Sequence, residues 1–422
     1  MQPTDNILEQ EQRALLVAID TGDYDVERSL DELTELAVSA GAEVIAVIMQ
    51  KRNAPNAATC LGSGRVEEAK VLCEENEINL IIFDCELSAT QLRNIEDITK
   101  TTTIDRTMLI LDIFGQRAKS HEGRLQVQLA QFSYRLPRLI AQNGSMSRMG
   151  NGGGIGTRRG PGETKLETDR RHIRSRIHEL KAELAELSAQ RERHRLRRQK
   201  DDFLVAAIVG YTNAGKSTLF NKLTQSDVYA DDRLFATLDA TSRALELPDG
   251  RAVILIDTVG FISRLPHKLV EAFKSTLEEA ASADLILHVV DISDPEHEHK
   301  AEVTEELLKE LGAGDIPMLT VFNKIDLVEF PLDFNAFAEN KVNVSAITGE
   351  NFEDLLEQTT KLLPVTAMKM RLLIPYDQSG IIAKIREEGK VFSEEYKENG
   401  VEIEALVDIK LIKAMEKFKT NT

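Results

Sequence analysis

The sequence predicts an α/β protein of several domains, and three features carry that reading. Residues 13–115 and residues 203–365 each alternate short apolar runs with segments of helical periodicity, the pattern of a parallel sheet covered by helices. Between them lie two helical segments with coiled-coil spacing. At 422 residues the chain is long enough for several separate cores. The expected layout is an N-terminal α/β domain over 1–115, an antiparallel helical hairpin over 116–200, a second α/β domain over 201–365 and a small C-terminal α+β domain over 366–422.

In the first domain "RALLVAI", "EVIAVIM", "NLIIFD" and "TMLILDIF" read as strands, with "DVERSLDELTELAVSA" as an amphipathic helix after the first. Asp20-Thr21-Gly22 has the form of an aspartic-protease triplet. That chemistry needs two carboxylates sharing a proton, and the chain holds no second Asp-Thr-Gly. Asp20 is therefore read as a strand-end residue. Next, Leu125, Leu129, Phe132 and Leu136 step by 4, 3 and 4; Ile173, Ile177, Leu180, Leu184 and Leu187 step by 4, 3, 4 and 3. Each series makes one apolar seam, and two consecutive seams bury each other as an antiparallel hairpin. The glycine- and arginine-rich stretch 144–162 then forms its tip. The last segment, "MKMRLLIPYDQSGIIAKIREEG" with "VEIEALVDI", suits a small α+β fold without a chemical signature.

Composition sets broad limits. Hydrophobic residues are 42% and charged ones 29%, as in an ordinary soluble globular protein. The start, "MQPTDNILEQEQ", is acidic and polar and predicts no secretory leader. No apolar run approaches the roughly 20 residues that span a bilayer, so no membrane span is expected. Cys60, Cys73 and Cys85 are odd in number and lack C-x-x-C spacing, which predicts reduced, buried thiols in a cytosolic protein. The formal net charge is −18, yet Arg158 to Lys200 holds 14 Lys and Arg against 7 Asp and Glu. One basic segment in a strongly acidic chain suits a localised anionic partner. A solvated basic helix face accounts for the same charge equally well.

"FLVAAIVGYTNAGKSTLF" places Gly210-Tyr211-Thr212-Asn213-Ala214-Gly215-Lys216-Ser217 between an apolar strand and a helical pattern. This is the context of a phosphate-binding loop: backbone N–H groups turn toward the phosphates and the helix N-terminus adds its dipole. Lys216 reaches the β- and γ-phosphates, and the Ser217 hydroxyl ligates Mg²⁺. "AVILIDTVG" ends in Asp257-Thr258-Val259-Gly260, where the carboxylate holds Mg²⁺ through water and the Gly260 N–H senses the γ-phosphate. "PMLTVFNKID" ends in Asn323-Lys324-Ile325-Asp326, whose Asp326 can accept from the N1–H and the N2 amine of guanine. Adenine offers neither donor, so Asp326 selects GTP. "VNVSAITGE" brings Ser345-Ala346-Ile347 to another strand end, with the Ala346 N–H placed for guanine O6. Four such motifs in this order predict a Ras-like P-loop GTPase domain.

Between the first and second motifs lies Phe235-Ala236-Thr237-Leu238-Asp239. Thr237 is the candidate switch threonine that completes the Mg²⁺ shell, with Thr241 the alternative. Lys216, Thr237 and Gly260 are thus the candidate catalytic groups. After Gly260, where many GTPases carry a water-positioning glutamine, stands Phe261. Phenylalanine cannot orient water, so intrinsic hydrolysis should be slow unless a partner orders the switches or supplies a group. Phe261 could equally pack in the core while another residue serves.

"GGGIGTRRGPG", Gly152 to Gly162, fits no nucleotide template: no G-x-G-x-x-G begins there and no apolar strand feeds it. No aromatic residue occurs between Tyr134 and Phe203, which excludes a base-stacking platform. What remains is backbone N–H groups, with close backbone approach at Gly153 and Gly156, and Arg148, Arg158, Arg159, Lys165, Arg170 and Arg171. These suit the phosphates of a folded RNA.

"GGGIGTRRGPGETKLETDRR", "GYTNAGKSTLFN", "FATLDAT", "DTVGFISRLPHKLVEAFKSTLEE", "FNKID" and "SAITGE" together resemble the HflX family of translation GTPases, over roughly residues 13–365. "SGRVEEAK" and "DRTMLILDIFGQRA" extend the likeness into the N-terminal domain. The resemblance implies a cytoplasmic Mg²⁺-dependent GTPase, monomeric off the ribosome, that binds the large ribosomal subunit with its hairpin tip toward the peptidyl-transferase region. It implies splitting of stalled or idle ribosomes under stress, with hydrolysis stimulated by the ribosome. Some members also hydrolyse ATP, attributed to the N-terminal domain; Gly62-Ser63-Gly64 is the one candidate phosphate loop there, and a plain helix start explains it. The competing readings are a GTP-gated RNA-binding scaffold in ribosome assembly or regulation, and a P-loop metabolic kinase, against which Asn323–Asp326 argues. Asp326→Asn should move selectivity from guanine toward xanthine nucleotides, because an amide donor would face guanine's donors. Unchanged GTP affinity in that variant would refute the base assignment.

Overall fold

A computed structural model of the chain describes residues 12–149, 161–200, 203–225, 234–235, 241–264, 269, 280–328 and 340–420. They belong to two compact units. One comprises Met1–Arg191 with Asp231–Asp239 and Arg264–Ser275; the other comprises Glu192–Ala230, Ala240–Ser263 and Thr276–Thr422.

The first unit begins with β1 (Gln12–Asp20), α1 (Val26–Ser39), β2 (Ala42–Lys51), α2 (Ser63–Glu75), β3 (Leu80–Phe83), α3 (Ala89–Thr99), β4 (Thr102–Asp105) and α4 (Arg106–Arg117). Its sheet runs β2-β1-β3-β4, all parallel. β1 and β3 are unbroken apolar runs because helices cover both faces of the sheet, and Ala14 to Val17 and Leu80 to Phe83 are fully buried. Asp20 ends β1 and closes a turn by accepting from the Gly22 N–H (2.9 Å), in keeping with a strand-end role. Gly62 is a helix start: its N–H donates to Gln50 Oε1 (2.8 Å) and α2 begins at Ser63.

"TMLILDIF" is not a strand but the body of α4, and the fourth strand is the short "TTID" before it. A largely apolar run, here interrupted only by Asp112, satisfies a buried helix as well as a buried strand. Asp105 decides between them. Its side chain accepts from the Met108 N–H (3.0 Å), an N-cap that starts the helix.

Helices α5 (His121–Met149) and α6 (Pro161–Lys200) form the expected hairpin. His121 Nε2 meets Glu183 (2.9 Å) and Arg176 reaches Gln128 (3.4 Å), so position rises on one helix as it falls on the other. Leu125 and Leu180 are buried in the seam, while Leu129, Phe132, Leu136, Ile173, Ile177, Leu184 and Leu187 are half-buried. α5 carries a second buried face that a single seam does not account for. Val127, Ala130 and Tyr134 are buried there, on a helix that packs on α3 and α4. Tyr134 donates to the buried Asp105 carboxylate, which Arg138 also approaches (2.5 Å) and which accepts from the Leu87 N–H (3.1 Å).

Two short segments from later in the chain complete this unit. The Leu234 N–H donates to Ser39 Oγ (3.0 Å) and Phe235 packs edge-on against Phe114, ring centroids 4.7 Å apart. Arg264 donates to Asp84 (2.6 Å) and Ser29 (2.8 Å) and stacks on the Tyr24 ring at 3.8 Å.

The second unit holds a six-stranded sheet of order β10-β9-β8-β5-β7-β6, parallel except that β6 runs against β7. Its elements are β5 (Leu204–Gly210), α7 (Lys216–Thr224), β6 (Thr241–Glu246), β7 (Ala252–Asp257), β8 (Leu285–Asp291), α8 (His297–Glu310), β9 (Met318–Asn323), β10 (Lys341–Asn343) and α9 (Phe352–Leu362). Five parallel strands therefore end along one edge, where ligands bind in open α/β sheets. β11 (Ala367–Ile374), α10 (Ser379–Glu388), β12 (Lys390–Lys397), β13 (Gly400–Asp408) and α11 (Ile409–Met415) make an antiparallel sheet of order β11-β13-β12 with two helices. Arg251 fastens the chain before this sheet, donating to the carbonyls of Pro364 (2.5 Å) and Thr360 (2.8 Å).

Asp105 caps α4, orders the turn at Leu87 and receives α5, all from a site without solvent access. Asp105→Ala removes the carboxylate that Arg138 and the Tyr134 hydroxyl share. It should lower the stability of the first unit by about 3–5 kcal/mol, read as an earlier first transition in urea denaturation of the full chain. A loss under about 1 kcal/mol would contradict that role.

Candidate nucleotide-binding site

The parallel strand ends bring together the residues expected to hold the nucleotide. β5 ends at Gly210, and the loop through Tyr211, Thr212, Asn213 and Ala214 turns into α7 at Lys216. The turn needs left-handed backbone at Asn213 (φ +61°) and Gly215 (φ +90°). At Gly215 a Cβ would lie 2.2 Å from Asn323 Nδ2, so any side chain would displace that amide. The amide has work to do: Asn323 Nδ2 donates to the Ala214 carbonyl (2.9 Å) and Oδ1 accepts from the Ala346 N–H (2.9 Å). One buried side chain thus ties the phosphate loop, the end of β9 and the Ser345–Ile347 turn.

That bond changes one expectation. The Ala346 N–H, expected at guanine O6, here donates to Asn323 Oδ1. The reason is that Nδ2 is already committed to Ala214, which aims the other end of the amide at Ala346. Ser345 is fully buried and its hydroxyl accepts from the Thr348 N–H (3.1 Å), shaping the turn, while Ile347 is exposed. Lys324 has φ +67° and pairs with Asp291 (2.6 Å) at the end of β8. Ile325 and Asp326 follow in a short 3₁₀ turn, with Asp326 exposed.

Ser217 Oγ donates to Asp257 Oδ2 (2.8 Å), so a hydroxyl and a carboxylate converge at the start of α7. Such a hard-oxygen pair suits a small divalent cation. Thr258 is buried and donates to the Ile208 carbonyl (2.7 Å), and Val259 is buried beside it, so neither offers a side chain to a ligand. At Gly260 a Cβ would lie 2.9 Å from Lys216 Nζ and 2.8 Å from Thr212 Cγ2. Glycine there leaves the lysine head uncovered on that side. Phe261 donates its N–H to the Gly210 carbonyl (3.1 Å), accepts from the Thr212 N–H (2.8 Å) and buries its ring in the core with Val205, Ala207 and Val209.

Phe235 belongs to the first unit, where its ring is buried against Phe114. Ala236, Thr237, Leu238 and Asp239 lie outside the described residues. Thr241 is the first residue of β6 and is paired with Asp257 in the sheet. Of the basic hairpin residues, Gly153, Gly156, Arg158 and Arg159 fall outside the described residues. Arg148 and Lys165 lie on α5 and α6, Arg170 is half-buried and Arg171 exposed.

Two buried groups set the electrostatics. Lys216 donates to the Tyr211 carbonyl (2.6 Å), and burial pulls its pKa down to about 8 against the opposing pull of Asp257. His288, within "LILHVVD" of β8, is fully buried with neither ring nitrogen hydrogen-bonded. Burial, and then Lys216, push its pKa down to about 4. Nothing in a lone strand histidine marks it as a neighbour of the phosphate loop; only the strand order β8-β5 brings it there.

Comparison with known proteins decides the family. Residues 27–115 match the family described as GTP-binding GTPase N-terminal, 117–198 its middle region, and 205–324 the family described as 50S ribosome-binding GTPase. The GTPase HflX of Caldanaerobacter subterraneus is 48% identical over 414 residues, covering 98% of this chain and 95% of its own. That of Escherichia coli is 42% identical, covering 92% of each. The chain belongs to the HflX family. It is a GTPase that binds GTP and GDP through a P-loop domain. Among solved structures, a GTP-binding protein from Sulfolobus solfataricus in complex with GDP is similar at 23% identity and TM-score 0.45, covering 83% of this chain and 98% of that one.

In this HflX-family GTPase the two buried groups have pH signatures of the same sign in different windows, because burial lowers both pKa values and the unfolded chain binds the extra proton. The unfolded chain restores Lys216 to its ordinary 10.5, so it binds more protons between about pH 8 and 10.5, and the penalty on the folded state is complete below 8. Lys216→Met should therefore raise nucleotide-free stability at pH 7 by about 1–3 kcal/mol while abolishing GTP turnover; lower stability would contradict a strained buried cation. His288 likewise costs stability as pH falls, from its ordinary 6.5 toward about 4, because only the unfolded chain takes up that proton. His288→Leu should flatten the stability profile over that range, measured by urea denaturation at stepped pH. An unchanged slope would place the titration elsewhere.

Proposed function

We propose that this GTPase binds the large ribosomal subunit through the tip of its helical hairpin and separates ribosomal subunits, with GTP hydrolysis accelerated by that contact. The observation that carries the reading is the pairing of a strand-end nucleotide site with a basic antiparallel hairpin in a chain whose net charge is −18. An acidic protein that carries one basic segment, without an aromatic residue between Tyr134 and Phe203, is suited to meet RNA phosphates by shape and charge. The match to a 50S ribosome-binding GTPase family supports the same partner. Relief of stalled or idle ribosomes under stress, in the cytoplasm, is the cellular setting that fits.

Ser217 would hold Mg²⁺ directly, joined by Thr237 in the GTP state, with Asp257 acting through water. When bound, the ion would supply neutralisation of the phosphate charge. Lys216 binds and orients the γ-phosphate, and the Gly260 N–H registers its presence. Asp326 selects guanine by accepting two hydrogen bonds. Phe261, tied into the core, leaves no side chain to position water, so a ribosomal group or a reordered switch must serve. That is why turnover should depend on the partner.

The double change Arg158→Ala and Arg159→Ala tests the hairpin role. GTP affinity and intrinsic hydrolysis should hold, because the phosphate loop supplies its own donors. Binding to purified large subunits should weaken, and the log–log salt slope should flatten by about 1–2 as fewer counterions are released. Subunit separation, followed by light scattering, should fall more steeply than binding. Loss of nucleotide affinity with ribosome binding intact would overturn the assignment.

A further inference from the structure

Among the groups that GTP hydrolysis does not use, two cysteines from different loops of the first unit lie side by side. Cys60 Sγ and Cys85 Sγ are 3.4 Å apart, although 25 residues separate them in sequence. We propose that Cys60 and Cys85 form a peroxide-sensitive dithiol, reduced at rest and closed to a disulfide by hydroperoxides, with Cys85 as the attacking sulfur and Cys60 as the resolving one.

The pair is held in place from both sides. Cys60 sits in left-handed backbone (φ +64°) and exchanges two backbone hydrogen bonds with Asn56, at 2.7 and 2.9 Å. That loop is fastened to α3 by Gln91 on the Asn56 carbonyl (2.7 Å) and Asn94 on the Ala58 carbonyl (2.9 Å). Cys85 follows Asp84, whose N–H donates to the Val17 carbonyl (2.9 Å) and whose carboxylate is gripped by Ser29 (2.7 Å), Arg106 (3.0 Å) and Arg264 (2.6 Å). Two sulfurs fixed in contact behave as reactants at very high effective concentration. Bond formation at roughly 2.05 Å requires only a small approach from this separation.

The roles follow from exposure and hydrogen bonding. Cys60 is 1% exposed whereas Cys85 is partly exposed, so an oxidant from solvent meets Cys85 first. Cys60 and Cys85 share an S–H···S hydrogen bond, which lowers the Cys85 pKa against burial, Asp84 and Asp105, with Arg264 assisting; the same bond and burial raise Cys60. A thiolate at Cys85 attacks the peroxide: the S–O bond forms, the O–O bond breaks, and the departing hydroxide takes up the thiol proton as water. The Cys60 sulfur then attacks the sulfenic acid: the S–S bond forms, the S–O bond breaks, and hydroxide leaves with the Cys60 proton as a second water. Two thiols lose two electrons and one peroxide gains them.

Cys73 is the internal control. It is buried at the helix α2 face, burial raises its pKa, and it is not paired with either cysteine. The test is to expose the full-length reduced protein to hydrogen peroxide and count thiols under denaturing conditions, with peptide mapping by mass spectrometry. The three thiols should fall to one, through a dithiothreitol-reversible Cys60–Cys85 link, at least tenfold faster than Cys73 reacts. Cys60→Ser should instead accumulate a Cys85 sulfenic acid that dimedone traps, and Cys85→Ser should abolish the fast phase. Three surviving thiols, a link involving Cys73, or loss of Cys73 as fast as the pair would overturn the proposal. The wild-type thiol count gives this answer whether or not either variant folds.

Discussion

The nucleotide site depends on one buried amide. Asn323 holds the Ala214 carbonyl with its donor and the Ala346 N–H with its acceptor, and it reaches both only because Gly215 has no side chain. An amide carries a donor and an acceptor on one rigid plane, so it can bridge a carbonyl and an N–H where a carboxylate could not. Placed at the end of β9, it makes the phosphate loop and the Ser345–Ile347 turn a single object. The cost of breaking a buried polar connection exceeds what one hydrogen bond contributes, because the partners stay buried without compensation. A preorganised loop is then available before any phosphate arrives.

Around that connection the charges are arranged for a polyanion. Lys216 is buried, held by one carbonyl and depressed in pKa, and His288 beneath it is kept neutral. A nucleotide's phosphates would relieve the lysine rather than burden it. Strain in the nucleotide-free site and affinity for the ligand are two sides of the same burial. Four residues beyond Gly260, Arg264 is anchored on Asp84 and Tyr24.

Much of this could be read in the amino-acid order, because phosphate chemistry demands particular residues at particular strand ends. Gly210 to Ser217, Asp257 to Gly260 and Asn323 to Asp326 all fall where the parallel strands finish. The hairpin seam was equally readable, since a 4–3 apolar step has one geometric solution. Other features were hidden for physical reasons. "TMLILDIF" is largely apolar, interrupted only by Asp112, so its pattern suited a buried strand as well as a buried helix, and the Asp105 cap marks the helix start. The second buried face of α5 needed knowledge of what lies beside it. The Ala346 bond to Asn323 and the approach of Cys60 to Cys85 depend on tertiary register, which no local pattern encodes.

Phe261 stands in the core at the position after Gly260, and the proposed function makes hydrolysis depend on the ribosome. The most direct measurement is multiple-turnover GTP hydrolysis by the full-length protein with and without purified large ribosomal subunits at low salt. The expected result is slow intrinsic turnover raised at least tenfold by large subunits, with little effect from small subunits. An intrinsic rate that already equals the rate on large subunits would contradict the account.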